Sequence, residues 1–304
     1  MVKSRCFALT AHGHVLVLLA LGAGCGRQPT NSPVERTTVQ NTGSDSMVIV
    51  ALVWAERFSD EDSNPAVTVS GGGSGVGIAG LTNGTVDVAN ATRRLKPIEI
   101  DAASDAGFTP FETIVGFDAP AFIVHPDNPI DSLTTQQLAD VLGEEGPIDF
   151  WSQLGVSVPG CPSNEIVRIS RQSSSGTYEF LRRELLGPAR DYKLGSRDLQ
   201  GSREVVEAVA KTPCALGYTA LAYVPPAEVK MPCFALDESG PCVIPSMESA
   251  EDGTYPLFRP LLMVTRGRPQ GVVGEYMAWV LSDVGQCVLE DVGYATARPL
   301  TCGE

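Results

Sequence analysis

The chain has 304 residues, 43% of them hydrophobic, 19% charged and 7% aromatic, which is apolar material for one large or two ordinary domains and rules out a disordered or collagen-like chain. Acidic residues outnumber Lys and Arg 36 to 22, a formal charge of −14, and no Lys/Arg-rich run occurs, so the electrostatic footprint of a nucleic-acid partner is missing.

Residues 1–24 read as a targeting segment. Lys3 and Arg5 give a basic start, the apolar stretch from His14 to Leu21 is shorter than the ~20 residues that span a bilayer, and Gly22-Ala23-Gly24 leads to Cys25. This ending resembles the box of a bacterial lipoprotein signal, with Gly22 standing where such boxes usually carry Leu. The resemblance implies a lipid on Cys25 and an exported, membrane-anchored protein facing the periplasm or the cell exterior. Loss of Lys3 and Arg5 with the signal takes the formal charge from −14 to −16. Residues 26–42 are polar, with two prolines and no periodicity, and read as a tether.

Beyond the tether, helical and extended patterns alternate. Helices are expected at 47–58, 74–83, 97–106 (opened by Pro97), 134–142, 175–186, 202–210 and 272–282, and strands at 66–70, 86–89, 114–124, 166–170 and 215–218. There is no internal repeat. This is the α/β alternation of a mostly parallel sheet with helices on its faces. Of eight Cys, Cys6 and Cys25 go with the signal and the anchor. Cys161, Cys214, Cys233, Cys242, Cys287 and Cys302 remain, an even number that fits disulfides in an exported chain and allows 15 pairings. Short-loop closure favours Cys233–Cys242 and Cys287–Cys302, leaving Cys161–Cys214. No CxxC occurs, which disfavours structural zinc and thioredoxin chemistry. His12 and His14 fall in the signal, so His125, at the end of an apolar run, is the imidazole left for any Ser-His-Asp triad, and a His-rich metal site is ruled out.

Three segments share one design, a Gly/Ser-rich turn followed by a helix: residues 43–47 (GSDSM), 70–77 (SGGGSGVG) and 171–177 (RQSSSGT). Unpaired N–H groups and the positive end of the macrodipole make such a helix start a ready anion site, though each turn alone is equally an N-cap. Other anion motifs fail. No GK[ST] ending completes a Walker A loop, GxSxG is absent, and the GxGxxG at 75–80 is followed by the next strand too soon for a dinucleotide-binding unit.

Together with the blocks at 70–97 (SGGGSGVGIAGLTNGTVDVANATRRLKP), 122–142, 168–185 and 208–223, these turns resemble the phosphate-binding proteins of bacterial phosphate ABC transporters over roughly residues 43–304. The resemblance implies a two-lobed type II periplasmic binding protein fold of mixed sheets flanked by helices, with the ligand cleft between lobes. Lobe I would hold 43–116 plus 225–304, and lobe II 117–224. It implies a monomer that captures inorganic phosphate, without cofactor, metal or catalysis, and delivers it to the subunits of an ABC permease. Carried over by position, Ser46, Met47, Ser74, Arg171, Ser175, Gly176 and Thr177 bind the anion. Many family members carry an Asp where this chain has Thr92-Arg93, so these two residues are candidates and Asp45 is the remaining candidate acceptor of the ligand's proton. The family's R-x-D pattern is here Arg171-Gln172-Ser173, without the carboxylate. Alternatives of the same design are another tetrahedral oxyanion (sulfate, molybdate or tungstate) or a phosphate sensor. Outside binding proteins, a secreted serine hydrolase or phosphatase is disfavoured by the single His.

Overall fold

The structure, a computed structural model, describes residues 38–60 and 64–303. The expected signal, Cys25 and residues 26–37 of the expected tether lie outside the described residues. Residues 38–42 are not tether: Thr38–Gly43 forms β1. Its sequence, TVQNTG, carries one apolar side chain, so hydrophobic alternation gives no signal. The strand is nevertheless interior, flanked on both sides, and its buried amide Asn41 donates to the Tyr276 hydroxyl at 3.4 Å. β1 ends on Gly43 at φ +150, where an added Cβ would stand 2.2 Å from the Asn90 carbonyl oxygen, so only glycine lets the chain turn here into the Ser44–Met47 segment.

In chain order the remaining strands are β2 (Ala66–Ser70), β3 (Val88–Ala91), β4 (Pro110–Asp118), β5 (Pro120–Val124), β6 (Ser132–Thr134), β7 (Val167–Arg171), β8 (Arg197–Leu199), β9 (Ala215–Ala220), β10 (Cys233–Ala235), β11 (Arg259–Arg266) and β12 (Ala295–Thr296). The helices are α1 (Val48–Ser59), α2 (Ser74–Thr82), α3 (Pro97–Asp105), α4 (Thr135–Leu142), α5 (Gly176–Leu186), α6 (Ser202–Ala210), α7 (Met247–Glu251), α8 (Gly271–Val280) and α9 (Asp283–Val292). A six-stranded sheet runs β12-β4-β11-β3-β1-β2 and a four-stranded sheet β5-β9-β7-β8, with a two-stranded β10-β6 beside the latter.

The expectation of a mostly parallel sheet needs correction. β1 is parallel to β2 and β3, and β7 to β8 and β9, but β11 enters the first sheet antiparallel to both β3 and β4, and β5 runs antiparallel to β9. The strand expected at 114–124 is two strands in different sheets, β4 and β5, with buried Ala119 at the switch. An unbroken apolar run cannot reveal that its two ends pair with different partners. The helix expected at 272–282 is followed by a second, α9, after Ser282, whose hydroxyl accepts from the Gly285 N–H at 3.3 Å.

Each sheet carries its own core. Val50, Trp54, Phe58, Tyr276, Met277 and Val280 pack under the six-stranded sheet, with Trp54 Nε1 donating to the Gly285 carbonyl at 2.7 Å. Phe122, Leu138, Val141, Trp151, Leu181 and Tyr218 pack against the four-stranded one. Residues 225–258, expected with lobe I, join this second half: Val229 packs with Ile123 and Ile169, and Phe234, Tyr255 and Leu257 enter the core of Phe122. Disulfides link Cys161–Cys214, Cys233–Cys242 and Cys287–Cys302, as the short-loop argument expects. No helix among the described residues is long and apolar enough to cross a membrane.

Candidate functional site

The three Gly/Ser turns meet where the two halves face each other. β1 delivers the Ser44–Met47 turn and the start of α1, β2 delivers the glycine turn and Ser74 at the start of α2, and β7 delivers Arg171 and the start of α5, capped by Ser175, whose hydroxyl accepts from the Tyr178 N–H at 3.4 Å. A fourth turn joins them. β8 leads to Ser202 at the start of α6, a Gly-Ser helix start that the sequence analysis reads only as the beginning of the helix at 202–210; the Glu204 carboxylate accepts from the Gly201 N–H at 3.2 Å.

The hydroxyls form two buried groups. Ser46 Oγ lies 3.0 Å from Thr177 Oγ1 and 3.5 Å from Ser202 Oγ. Ser44 Oγ lies 3.2 Å from Thr92 Oγ1, and Ser74 Oγ accepts from the Thr92 N–H at 3.2 Å. Arg171 is 1% exposed. Its Nη1 donates to Ser202 Oγ at 2.9 Å, Nε and Nη2 donate to the Gln200 carbonyl at 2.9 and 2.5 Å, and Nη2 lies 3.5 Å from Asp45 Oδ2. Asp45 Oδ1 accepts from the Gly72 N–H at 3.0 Å. Asp45, from the opposite half, is thus a carboxylate facing Arg171 in a chain whose R-x-D position holds Ser173. Burial pushes the Asp45 carboxyl up from its ordinary range, against the pull of the Gly72 N–H and of Arg171, and burial likewise lowers the Arg171 guanidinium from a value high enough to leave it charged. Tyr223, pushed up to about 12 by burial and hence protonated, donates to the Asp45 carbonyl at 2.8 Å, and Tyr294 donates to the Ser46 carbonyl. Both hold the first turn from below.

Two expected residues point elsewhere. The Met47 N–H donates to the Ser44 carbonyl at 2.9 Å and its side chain enters the core of Trp54. The Arg93 guanidinium is held in a fork by Glu99, at 2.8 and 2.6 Å, and does not join either hydroxyl group. Glu99 sits in the first turn of α3, a placement that the helix expected at 97–106 already offered. His125 stands at the end of β5, where its Nδ1 accepts from the Asp127 N–H at 3.2 Å, with no bond to a site hydroxyl.

The halves also touch through backbone. Gly75 N–H donates to the Ser174 carbonyl at 2.9 Å, and Ser174 Oγ donates to the Gly72 carbonyl at 3.0 Å. Buried donors on helix starts, one guanidinium and one carboxyl make a site for a small, multiply hydrogen-bonded anion.

A family model described as a PBP superfamily domain matches residues 28–284. The chain belongs to the PBP superfamily. Within it, the phosphate-binding protein PstS of Pseudomonas aeruginosa is 30% identical over 268 residues, 84% of this chain and 82% of that protein, which places the two in one family. Protein SphX of Synechococcus elongatus is 29% identical over 271 residues, covering 86% and 77%. Among solved structures, one from Clostridium perfringens with bound phosphate, described as a phosphate ABC transporter substrate-binding protein, is 25% identical, covers 86% of this chain and all of its own, and superposes with a TM-score of 0.75. PstS of Borrelia burgdorferi is 26% identical, with a TM-score of 0.54 over 86% of this chain and 99% of that one. The two-lobed type II binding protein fold is thus the fold of this PBP superfamily member, a binding protein rather than an enzyme.

The closeness of the halves depends on Gly176. A Cβ there would stand 2.4 Å from both Ser74 Oγ and Thr92 Oγ1. Gly176→Ala is expected to disfavour the closed arrangement by about 2 kcal/mol, the cost of overpacking a close contact. Small-angle scattering should then report a larger radius of gyration than the parent protein, with unchanged far-ultraviolet dichroism. Identical scattering curves would mean that the contact yields without opening the cleft.

Proposed function

We propose that this protein captures inorganic phosphate outside the cytoplasm and hands it to the membrane subunits of an ABC transporter. The reading rests on one observation above the others: Arg171 and the hydroxyls of Ser46, Thr177 and Ser202, drawn from both halves, converge in one buried group. A tetrahedral anion bound among them would join the two lobes, lobe II running from β5 to about residue 258 and the rest of the described chain forming lobe I. The Ser175-Gly176-Thr177 helix start and Ser74 add aimed donors, and Thr92 closes the wall beside Ser74. The relatives named for binding phosphate lend the identity of the anion. The charge of −16 on the mature chain does not oppose this, because it is screened over about 8 Å while the cleft donors act at contact.

Asp45 supplies selectivity in this reading. Phosphate near neutral pH carries a proton that sulfate lacks, and a buried carboxylate facing the ligand rewards that proton and is left against a lone pair by sulfate. The upward push on its carboxyl by burial makes it a better proton acceptor.

For export we propose lipidation at Cys25, a diacylglyceryl and an amide-linked chain together exceeding the two-chain threshold for stable anchoring.

Titration calorimetry should show phosphate binding by the parent protein and a rise in Kd of about thirtyfold, about 2 kcal/mol, in Arg171→Ala, the cost of removing one partner of a buried charged contact. Unchanged affinity would remove Arg171 from the site. Asp45→Asn should weaken phosphate by about tenfold or more and narrow the phosphate-to-sulfate ratio. A ratio equal to that of the parent protein would place the proton acceptor elsewhere. Cys25→Ser should move the protein from the membrane to the soluble fraction on cell fractionation with phosphate binding intact; a parent protein already soluble rejects the anchor.

A further inference from the structure

Where the chain crosses from the six-stranded to the four-stranded sheet, β4 ends on Asp118 and β11 begins on Arg259, paired directly opposite it. Both side chains are wholly removed from solvent. Their contact is lopsided. Arg259 Nε and Nη2 both reach Asp118 Oδ2, at 3.0 and 2.5 Å, while Nη1 and Oδ1 have no hydrogen-bond partner among the described residues. Two charges removed from water are a poor device for stability, since apolar side chains of similar volume commonly hold such a position as well or better. The pair does make one further bond: Arg259 Nη2 donates to Thr177 Oγ1 at 3.0 Å.

That bond has a direction. A guanidinium is a donor only, so Thr177 Oγ1 is the acceptor in it and must send its own hydrogen elsewhere. The neighbouring oxygen is Ser46 Oγ at 3.0 Å, inside the candidate site. Without Arg259, the threonine hydroxyl could rotate to accept from Ser46 as readily as to donate. The unprotonated oxygens of a bound anion require donors, and a hydroxyl already turned the right way spares the cost of reorganising it on binding.

We propose that Arg259, held by Asp118, is a positioning residue that presets the Thr177 hydroxyl as a donor to the bound anion. The inference rests on the phosphate-binding reading above.

The test is whether the value of the Thr177 hydroxyl depends on Arg259. Phosphate Kd is measured by titration calorimetry for Thr177 and Thr177→Val in three backgrounds: parent, the apolar pair Arg259→Met with Asp118→Leu, and Arg259→Lys. The lysine keeps a cation beside Asp118, but on a flexible stem without the second, Nε contact that fixes the guanidinium against Asp118 and so aims Nη2 at Thr177. Thr177→Val should raise Kd by about tenfold or more in the parent, the value of one hydrogen bond to a charged group, and by less than about threefold in either altered background. If the pair serves the fold alone, replacing it shifts at most the melting temperature and leaves the cost of Thr177→Val unchanged. A full tenfold cost in any folded altered background overturns the proposal, as does parental phosphate affinity in the apolar-pair protein. Should the apolar pair fail to fold, the lysine background decides alone. Absence of phosphate binding by the parent removes the functional reading and this inference together, whereas binding with independent costs removes this inference only.

Discussion

A guanidinium shut away from water is costly unless its donors are answered, and most of the site follows from how Arg171 is answered. The Gln200 carbonyl takes two of its N–H groups, which fixes the turn between β8 and α6. Ser202 takes another, which fixes the start of α6, and Asp45 lies alongside from the other half. Its backbone N–H donates to the Tyr218 hydroxyl at 3.2 Å, tying the end of β7 to β9. Strand ends, helix starts and the meeting of the halves are therefore one arrangement. The cation at its centre keeps the cleft polar where the surrounding cores are apolar.

Where the chemistry was local, the sequence was legible. The strand Ala66–Ser70 and the helix Ser202–Ala210 coincide with their expected bounds, because each is bracketed by a turn signal and carries its own periodicity. The Gly/Ser turns were recognisable one by one as helix starts. What made them a site was their number in one chain, together with an arginine at the end of a strand. The cysteines paired as loop length suggests.

What escaped was set by pairing across distance. β1 is polar and reads as tether in the sequence, yet β2 and β3 flank it in the sheet. The carboxylate that faces Arg171 is Asp45, 126 positions away in the chain, a pairing that no local pattern around Arg171 announces. Arg93 was expected near the anion on family position alone, and Glu99 claims its fork. Asp118 and Arg259 stand 141 residues apart, the arginine opening a strand, Arg259–Arg266, that the alternation had not suggested. Residues 225–258 carry little periodicity, and their allegiance is decided by Val229, Phe234, Tyr255 and Leu257 entering the second core.

The disulfides divide in a way that matters for how the protein matures. Cys161–Cys214 and Cys233–Cys242 lie within the half built on the four-stranded sheet, and Cys287–Cys302 within the half built on the six-stranded one. No sulfur bridge among the described residues spans the cleft. Oxidation can therefore finish each half on its own and shrink the unfolded ensemble of each without limiting the rotation of one against the other. Covalent links fall within the halves and leave the contact between them to hydrogen bonds, so a strongly oxidising compartment can stiffen each half without cross-linking the two.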